Sequence, residues 1–230
     1  MIGVVFWSLL ACNLSEQPEE VVLAIASEEV TFQSVTMLGP HRYLATISRT
    51  EEWGRRDSTQ HSEIVEIQWI DWDNFSYKRE VDGDVASATR VVEGQAWIRH
   101  QERRWDARSD AEPYRVQLQT TWDTWEQTLK PFGERVEMVE VGREELDGRE
   151  VIKYELLLSP LPQGEVDQGL APTSLTGTVW VDVNTAVRLV GVLEGELADG
   201  VYRRSVSLKL ARSEIGIPQA IAIPRRVRSR

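Results

Sequence analysis

From residue 41 onward the chain keeps returning to one rhythm, in which apolar and polar side chains alternate and Gly-containing turns interrupt. In Glu63 to Ile70, Val65, Ile67 and Trp69 alternate with Glu66 and Gln68. In Val151 to Leu158, Ile152, Tyr154, Leu156 and Leu158 alternate with Lys153 and Glu155. A period of two puts one set on each face of a strand, so each of these segments has one apolar and one polar face. His41 to Ile47, Asn74 to Val81, Arg90 to Val92, Gln95 to Arg99, Val136 to Val141, Thr178 to Val183 and Tyr202 to Leu210 read the same way. In the last of these, Val206, Leu208 and Leu210 share a side. Asp82-Gly83, Glu93-Gly94, Asp147-Gly148 and Asp199-Gly200 supply turns between neighbours, as antiparallel hairpins need.

One stretch changes period. Tyr114, Leu118, Thr121, Trp122, Trp125 and Leu129 follow helical spacing until Pro131 and Gly133 end the run. Trp122 and Trp125 are three apart and share a face. A second, short helix is expected over Glu19 to Ser27. Ser159 to Leu175 holds Pro160, Pro162, Gly164, Gly169 and Pro172 and reads as a long loop, of a kind often functional. Leu189, Gly191, Leu193, Gly195 and Leu197 form one strand face. Two glycines there let the strand bend. The expected fold class is mainly β (α+β). It is a single curved antiparallel sheet, a half-open barrel of about 9–11 strands, with a few helices covering the concave face.

The length suits one domain with a core of its own. A formal charge of −11 excludes nonspecific nucleic-acid binding, which needs clustered positive charge. Of the nine Trp, eight follow the N-terminal apolar run. They fit either a packed core or the wall of an apolar cavity.

That apolar run, Ile2 to Ala11, ends in Leu9-Leu10-Ala11-Cys12, and polar text follows at once in Asn13-Leu14-Ser15-Glu16. The run is too short to span a bilayer and of signal-peptide length, although no Lys or Arg precedes it. The sequence resembles a bacterial lipobox. By that resemblance Cys12, the only cysteine, receives the lipid and becomes the first residue of an exported chain. A buried N-terminal strand with a core cysteine is the alternative. One cysteine excludes an intramolecular disulfide framework. Asn13, which is not Asp, favours the outer membrane by the sorting rule of enteric bacteria.

An acylated cysteine, a tether, antiparallel strands, a helix inserted midway and further strands together resemble the LolA/LolB-like envelope proteins. That group includes mycobacterial lipid-binding lipoproteins such as LppX and LprG and the N-domain of RseB. The segments that carry the likeness are Arg90–Arg99, Glu145–Tyr154 and Gly177–Asp182. The resemblance implies a signal peptide over 1–11, an acylated cysteine and tether over 12–20, and one half-barrel domain over 21–224. A basic tail follows over 225–230. It also implies a periplasm-facing, lipid-anchored protein, with an acyl chain of a lipid or lipoprotein held in a hydrophobic cavity. Trp97, Trp122, Trp125, Leu156 and Leu193 are the candidate cavity residues. Core packing selects the same side chains. The alternative is an envelope protein-interaction or stress-sensing lipoprotein acting on a protein partner through its surface and the 159–175 loop.

Catalytic signatures are missing from the text: there is no G-x-S-x-G, H-E-x-x-H or phosphate-cradling loop. His41, His61 and His100 stand far apart, without metal-ligand spacing. Asp71-Trp72-Asp73-Asn74 starts like a calcium loop and fails at Phe75 and Ser76. No catalytic residue, metal or cofactor is therefore expected. The tail Arg225-Arg226-Val227-Arg228-Ser229-Arg230 suits either anionic head groups or a plain polar terminus.

Overall fold

The computed structural model describes residues 32–54, 57–101, 103–122, 124–160, 169–225 and 227–228. Cys12, the tether and the helix expected over Glu19 to Ser27 lie outside them. The described residues open with a short helix, α1 (Phe32–Thr36). Six strands follow: β1 (His41–Trp53), β2 (Asp57–Asp71), β3 (Asn74–Val81), β4 (Asp84–Val92), β5 (Gln95–His100) and β6 (Trp105–Arg108). A helical segment comes next, α2 (Glu112–Trp122), α3 (Thr124–Leu129) and a 3-10 turn (Lys130–Arg135). After it come β7 (Val136–Leu146), β8 (Arg149–Leu158), β9 (Ala171–Asp182), β10 (Arg188–Ala198), β11 (Tyr202–Ser213) and the two-residue β12 (Val227–Arg228).

All twelve strands belong to one sheet, in the order β12-β6-β5-β4-β3-β2-β1-β11-β10-β9-β8-β7. Every pairing is antiparallel except that of β12 with β6. The sheet is open: β7 forms one edge and β12 the other. Eleven of these strands pair antiparallel, within the expected 9–11, and the two-residue β12 adds a parallel pairing at the edge. The turns are as read: Asp82-Gly83, Glu93-Gly94 and Asp147-Gly148 each place both central residues at positive φ, the type I′ geometry whose twist matches a two-residue hairpin.

The expected loop over 159–175 is shorter than its composition suggests, because β9 already begins at Ala171. Pro172 enters the strand where its missing N–H does no harm. It pairs with Leu197 at a register shift, and the Thr173 hydroxyl donates to the Glu196 carbonyl at 3.2 Å. Bulges tolerate proline for this reason.

The connection that matters most joins β6 to β7, because these strands lie at opposite sides of the sheet. The helical segment must therefore cross the whole face. Ten inter-strand steps on a flat sheet would span about 48 Å, whereas the 11, 6 and 6 residues of α2, α3 and the 3-10 turn supply at most about 38 Å of helix. The sheet curls to meet its own connection. The helices lie on its concave, inner face, where Leu118, Trp122, Trp125 and Phe132 join one apolar cluster with residues from strands on both sides of the β1–β11 seam.

Candidate ligand site: the covered inner face

The inner face is built from cross-strand rows, because residues paired across an antiparallel ladder point the same way. One row runs Met138, Leu156, Gly177, Leu193, Leu208, Ile47. The next runs Glu140, Tyr154, Val179, Gly191, Leu210, Ala45, Val65. Glycines interrupt these rows where bulk would collide. A Cβ at Gly191 would stand 2.4 Å from Trp125 Cζ3, and one at Gly195 would stand 2.3 Å from Phe132 Cζ. The two glycines read from sequence as permitting a bend thus also let aromatic rings from the helical cover rest directly on the β10 backbone.

Four of the five residues proposed from sequence meet in this layer. Trp122, Trp125, Leu156 and Leu193 are all buried in the one apolar cluster. Trp97 does not join them. It pairs with Arg90 and Ala107, whereas its neighbour Ala96 pairs with Val91 of the inner cluster. Trp97 is buried, but on the outer face.

The cover is tied to the sheet by arginines at its start, middle and end. Arg115 on α2 donates to Asp73 at 2.6 Å and to the Trp72 carbonyl at 3.1 Å. The Asp71-Trp72-Asp73-Asn74 segment is thus a turn that anchors a helix. Arg188 on β10 pairs with Glu126 on α3 at 2.5 Å. Arg135 donates to the Ser159 carbonyl at 3.0 Å and to the Pro172 carbonyl at 3.1 Å.

Beside the middle tie the inner face turns polar. Arg212 is buried, stacks 4.8 Å over the Tyr43 ring and donates to the Arg188 carbonyl. Burial pulls its guanidinium down to about 10. His41 stacks on Trp122 at 5.7 Å, and its Nδ1–H donates to the Gly39 carbonyl at 2.8 Å. Burial, and then the charge of Arg212, push His41 down to about 4, so its ring is neutral at pH 7. Arg212 and His41 were legible as inner-face residues, since each keeps the parity of an apolar row: Val206, Leu208, Leu210 for one and Tyr43, Ala45, Ile47 for the other. Arg188 carries no such signal, because a register shift beside it breaks the parity.

Trp125 Nε1, the Tyr154 hydroxyl and Arg212 Nε are buried donors without a hydrogen-bond partner among the described residues. Burial, followed by Glu140, raises the Tyr154 phenol above its usual range, so it is a neutral donor. Among the described residues, no group of three or more His, Cys, Asp or Glu stands close enough to hold a metal ion. Nor is any helix among them long and apolar enough to cross a membrane.

No family model matches the sequence, and no curated protein matches it. Among solved structures, the chain is similar to the lipoprotein LppX of Mycobacterium tuberculosis, at 17% identity and TM-score 0.35, over 89% of this chain and 100% of that one. It is similar to a LolA superfamily protein of Nitrosomonas europaea at 8% identity and TM-score 0.25, over 86% and 94% of the two chains. A third similar structure is a putative outer membrane lipoprotein-sorting protein domain of Vibrio parahaemolyticus, at 12% identity and TM-score 0.25, over 87% and 95%.

Proposed function

We propose that this chain is a non-catalytic protein of the bacterial envelope, held to a membrane by a lipid on Cys12, and that its inner sheet face takes an apolar ligand. The ligand is an acyl chain of a lipid or of another lipoprotein. One observation carries the reading: helices lie over an apolar sheet face and leave Trp125 Nε1 and the Tyr154 hydroxyl buried and unpaired among the described residues. An unpaired buried donor costs about 1–3 kcal/mol, and a ligand carboxyl or ester oxygen would recover it. Lifting the cover exposes the rows around Leu156, Leu193 and Gly191. Their reburial against an acyl chain, at about 25 cal/mol per Å², supplies the affinity. The 1–11 leader, the 12–20 tether and the outer membrane destination belong to the same proposal.

The test is titration of delipidated protein with a fluorescent fatty acid. Saturable uptake with a stoichiometry near one is expected, weakened by Tyr154→Phe in a fold unchanged by circular dichroism. Absence of saturable binding overturns the reading.

A further inference from the structure

The outer face of the sheet carries a second recess that the acyl-chain reading does not use. It is a groove of about 500 Å³ over β1 to β6, lined among others by Leu44, Gln68, Ser76, Ala88, Arg90 and Arg99. Cross-strand pairing places these side chains in two adjacent outer rows, Arg42, Gln68, Ser76, Arg90 and Leu44, Glu66, Lys78, Ala88, Arg99. The chain after β11 runs across this same side. Gln219 accepts from Arg42, and the Ala222 carbonyl accepts from Arg90 at 2.8 Å. β12 then docks beside Trp105 and Asp106.

Charge is unevenly matched along the groove. At one end Arg42 pairs with Glu214 at 3.2 Å, and Lys78 pairs with Glu80 at 2.5 Å and Glu66 at 3.8 Å. At the other end Arg90 and Arg99 share a single ring, standing 5.0 Å and 5.2 Å from the Trp105 centroid. Neither forms an ion pair among the described residues, and Arg99 Nε is buried without a hydrogen-bond partner. Two like charges over one indole, in a chain of net charge −11, are an arrangement that an anion completes. A guanidinium fork matches an oxyanion with two parallel hydrogen bonds, and two forks match a tetrahedral one from two sides. The recess is larger than a bare ion needs. Ser76, which donates to Gln68 at 3.2 Å, and Gln68 give it a polar wall, and Ala88 and Leu44 an apolar floor for the group that carries the anion.

We infer that the Arg90–Arg99–Trp105 end of the outer groove binds a phosphate ester, with both guanidinium groups on the phosphoryl oxygens and the indole holding them apart. The site lies on the face opposite the helical cover and stands or falls independently of acyl-chain binding. Phosphate of this kind comes either from a soluble phosphate ester or from the head group of an anionic lipid.

The test uses the full chain carrying Cys12→Ser, so that no acyl anchor holds it to vesicles. One arm is calorimetric titration with sn-glycerol 3-phosphate. The other is co-sedimentation with phosphatidylglycerol vesicles, with phosphatidylcholine vesicles as reference. Binding in the first arm, with one site per chain, assigns a soluble ester. Binding in the second alone assigns a lipid head group. In whichever arm binds, Arg99→Gln is expected to weaken binding at least tenfold and Arg99→Lys, which keeps the charge but not the fork, about threefold. Arg143→Gln on β7 should have no effect. The Lys variant keeps the test decisive if the Gln variant does not fold. No binding in either arm, or binding that Arg99→Gln and Arg143→Gln weaken equally, overturns the site.

Discussion

Gly191→Ala tests whether the cover rests on the sheet as closely as the structure shows. The added Cβ would stand 2.4, 3.0 and 3.1 Å from the Trp125 atoms Cζ3, Cη2 and Cε3. Carbon atoms in contact settle at about 3.5–4.0 Å, so ring and strand must part by roughly an ångström. Trp125 is 2% exposed and has little room to swing. Forcing an extra methyl into a packed core costs about 1–3 kcal/mol. Replacing Gly with Ala stiffens the unfolded chain and returns about 0.4–1 kcal/mol. The net expectation is a loss of about 1–2 kcal/mol, or a fall in Tm of about 2–8 °C for a chain of this size. Urea melts followed by far-ultraviolet circular dichroism would show a lower midpoint at constant slope. Trp125→Leu removes the colliding atoms, so Gly191→Ala made in that background should cost nothing. The two substitutions should then couple by about 1–3 kcal/mol. Strictly additive effects, or a Gly191→Ala protein as stable as its parent, would show that the indole does not lie on β10 and would refute the reasoning.

Two further predictions concern charge. His41 is neutral in the native state down to about pH 4, while the unfolded chain takes up its proton near pH 6.5. Between those values the unfolded state binds more protons, so the stabilisation from this group is complete above pH 6.5 and is lost as pH falls toward 4. The total is about 3 kcal/mol. His41→Phe, which keeps the stack on Trp122, should flatten the stability–pH curve in that window, and an unchanged slope would count against the neutral buried ring. Asp182 is fully buried at the β9–β10 turn. It accepts from Arg149 Nε at 2.7 Å, from the Thr185 amide and hydroxyl at 2.8 Å each, and from the Asn184 amide at 3.1 Å. Burial opposes its ionisation, but these bonds prevail and hold its carboxyl below the usual range. Its contribution is therefore present above pH 4 and lost as pH falls through the lowered value. Asp182→Asn keeps the shape and removes the charge, and should cost about 1.5–3 kcal/mol at pH 7, read as a lower urea midpoint.

Much of the architecture was readable one hairpin at a time. Val65-Glu66-Ile67-Gln68-Trp69 declared a strand and its buried face. Glu93-Gly94 and Asp147-Gly148 declared their turns, and the Leu189-to-Leu197 row declared both its face and its glycines. These properties belong to neighbours along the chain, where side-chain parity and turn chemistry act over a few residues. The inner-face position of Trp122, Trp125, Leu156 and Leu193 was readable for the same reason, since helical or strand periodicity assigns a face without reference to any partner. Trp97 was misplaced because its strand, Ala96-Trp97-Ile98, is buried on both faces, and alternation carries no sign of which side is which when neither is polar.

What only the tertiary structure decided is which strands meet and what crosses them. The pairing of β1 with β11 joins Thr46 to Lys209, a contact that no local pattern encodes, because any antiparallel strand with an apolar face would satisfy either edge. Once that seam forms, β6 and β7 fall on opposite sides, and the helical connection is obliged to cover the inner face. The residues after β11 are sent across the outer one. The Arg90–Arg99–Trp105 groove and the Arg188–Glu126 tie are consequences of that closure: burial and charge pairing depend on which segments arrive from far along the chain, whereas alternation and turns depend only on the residues next door.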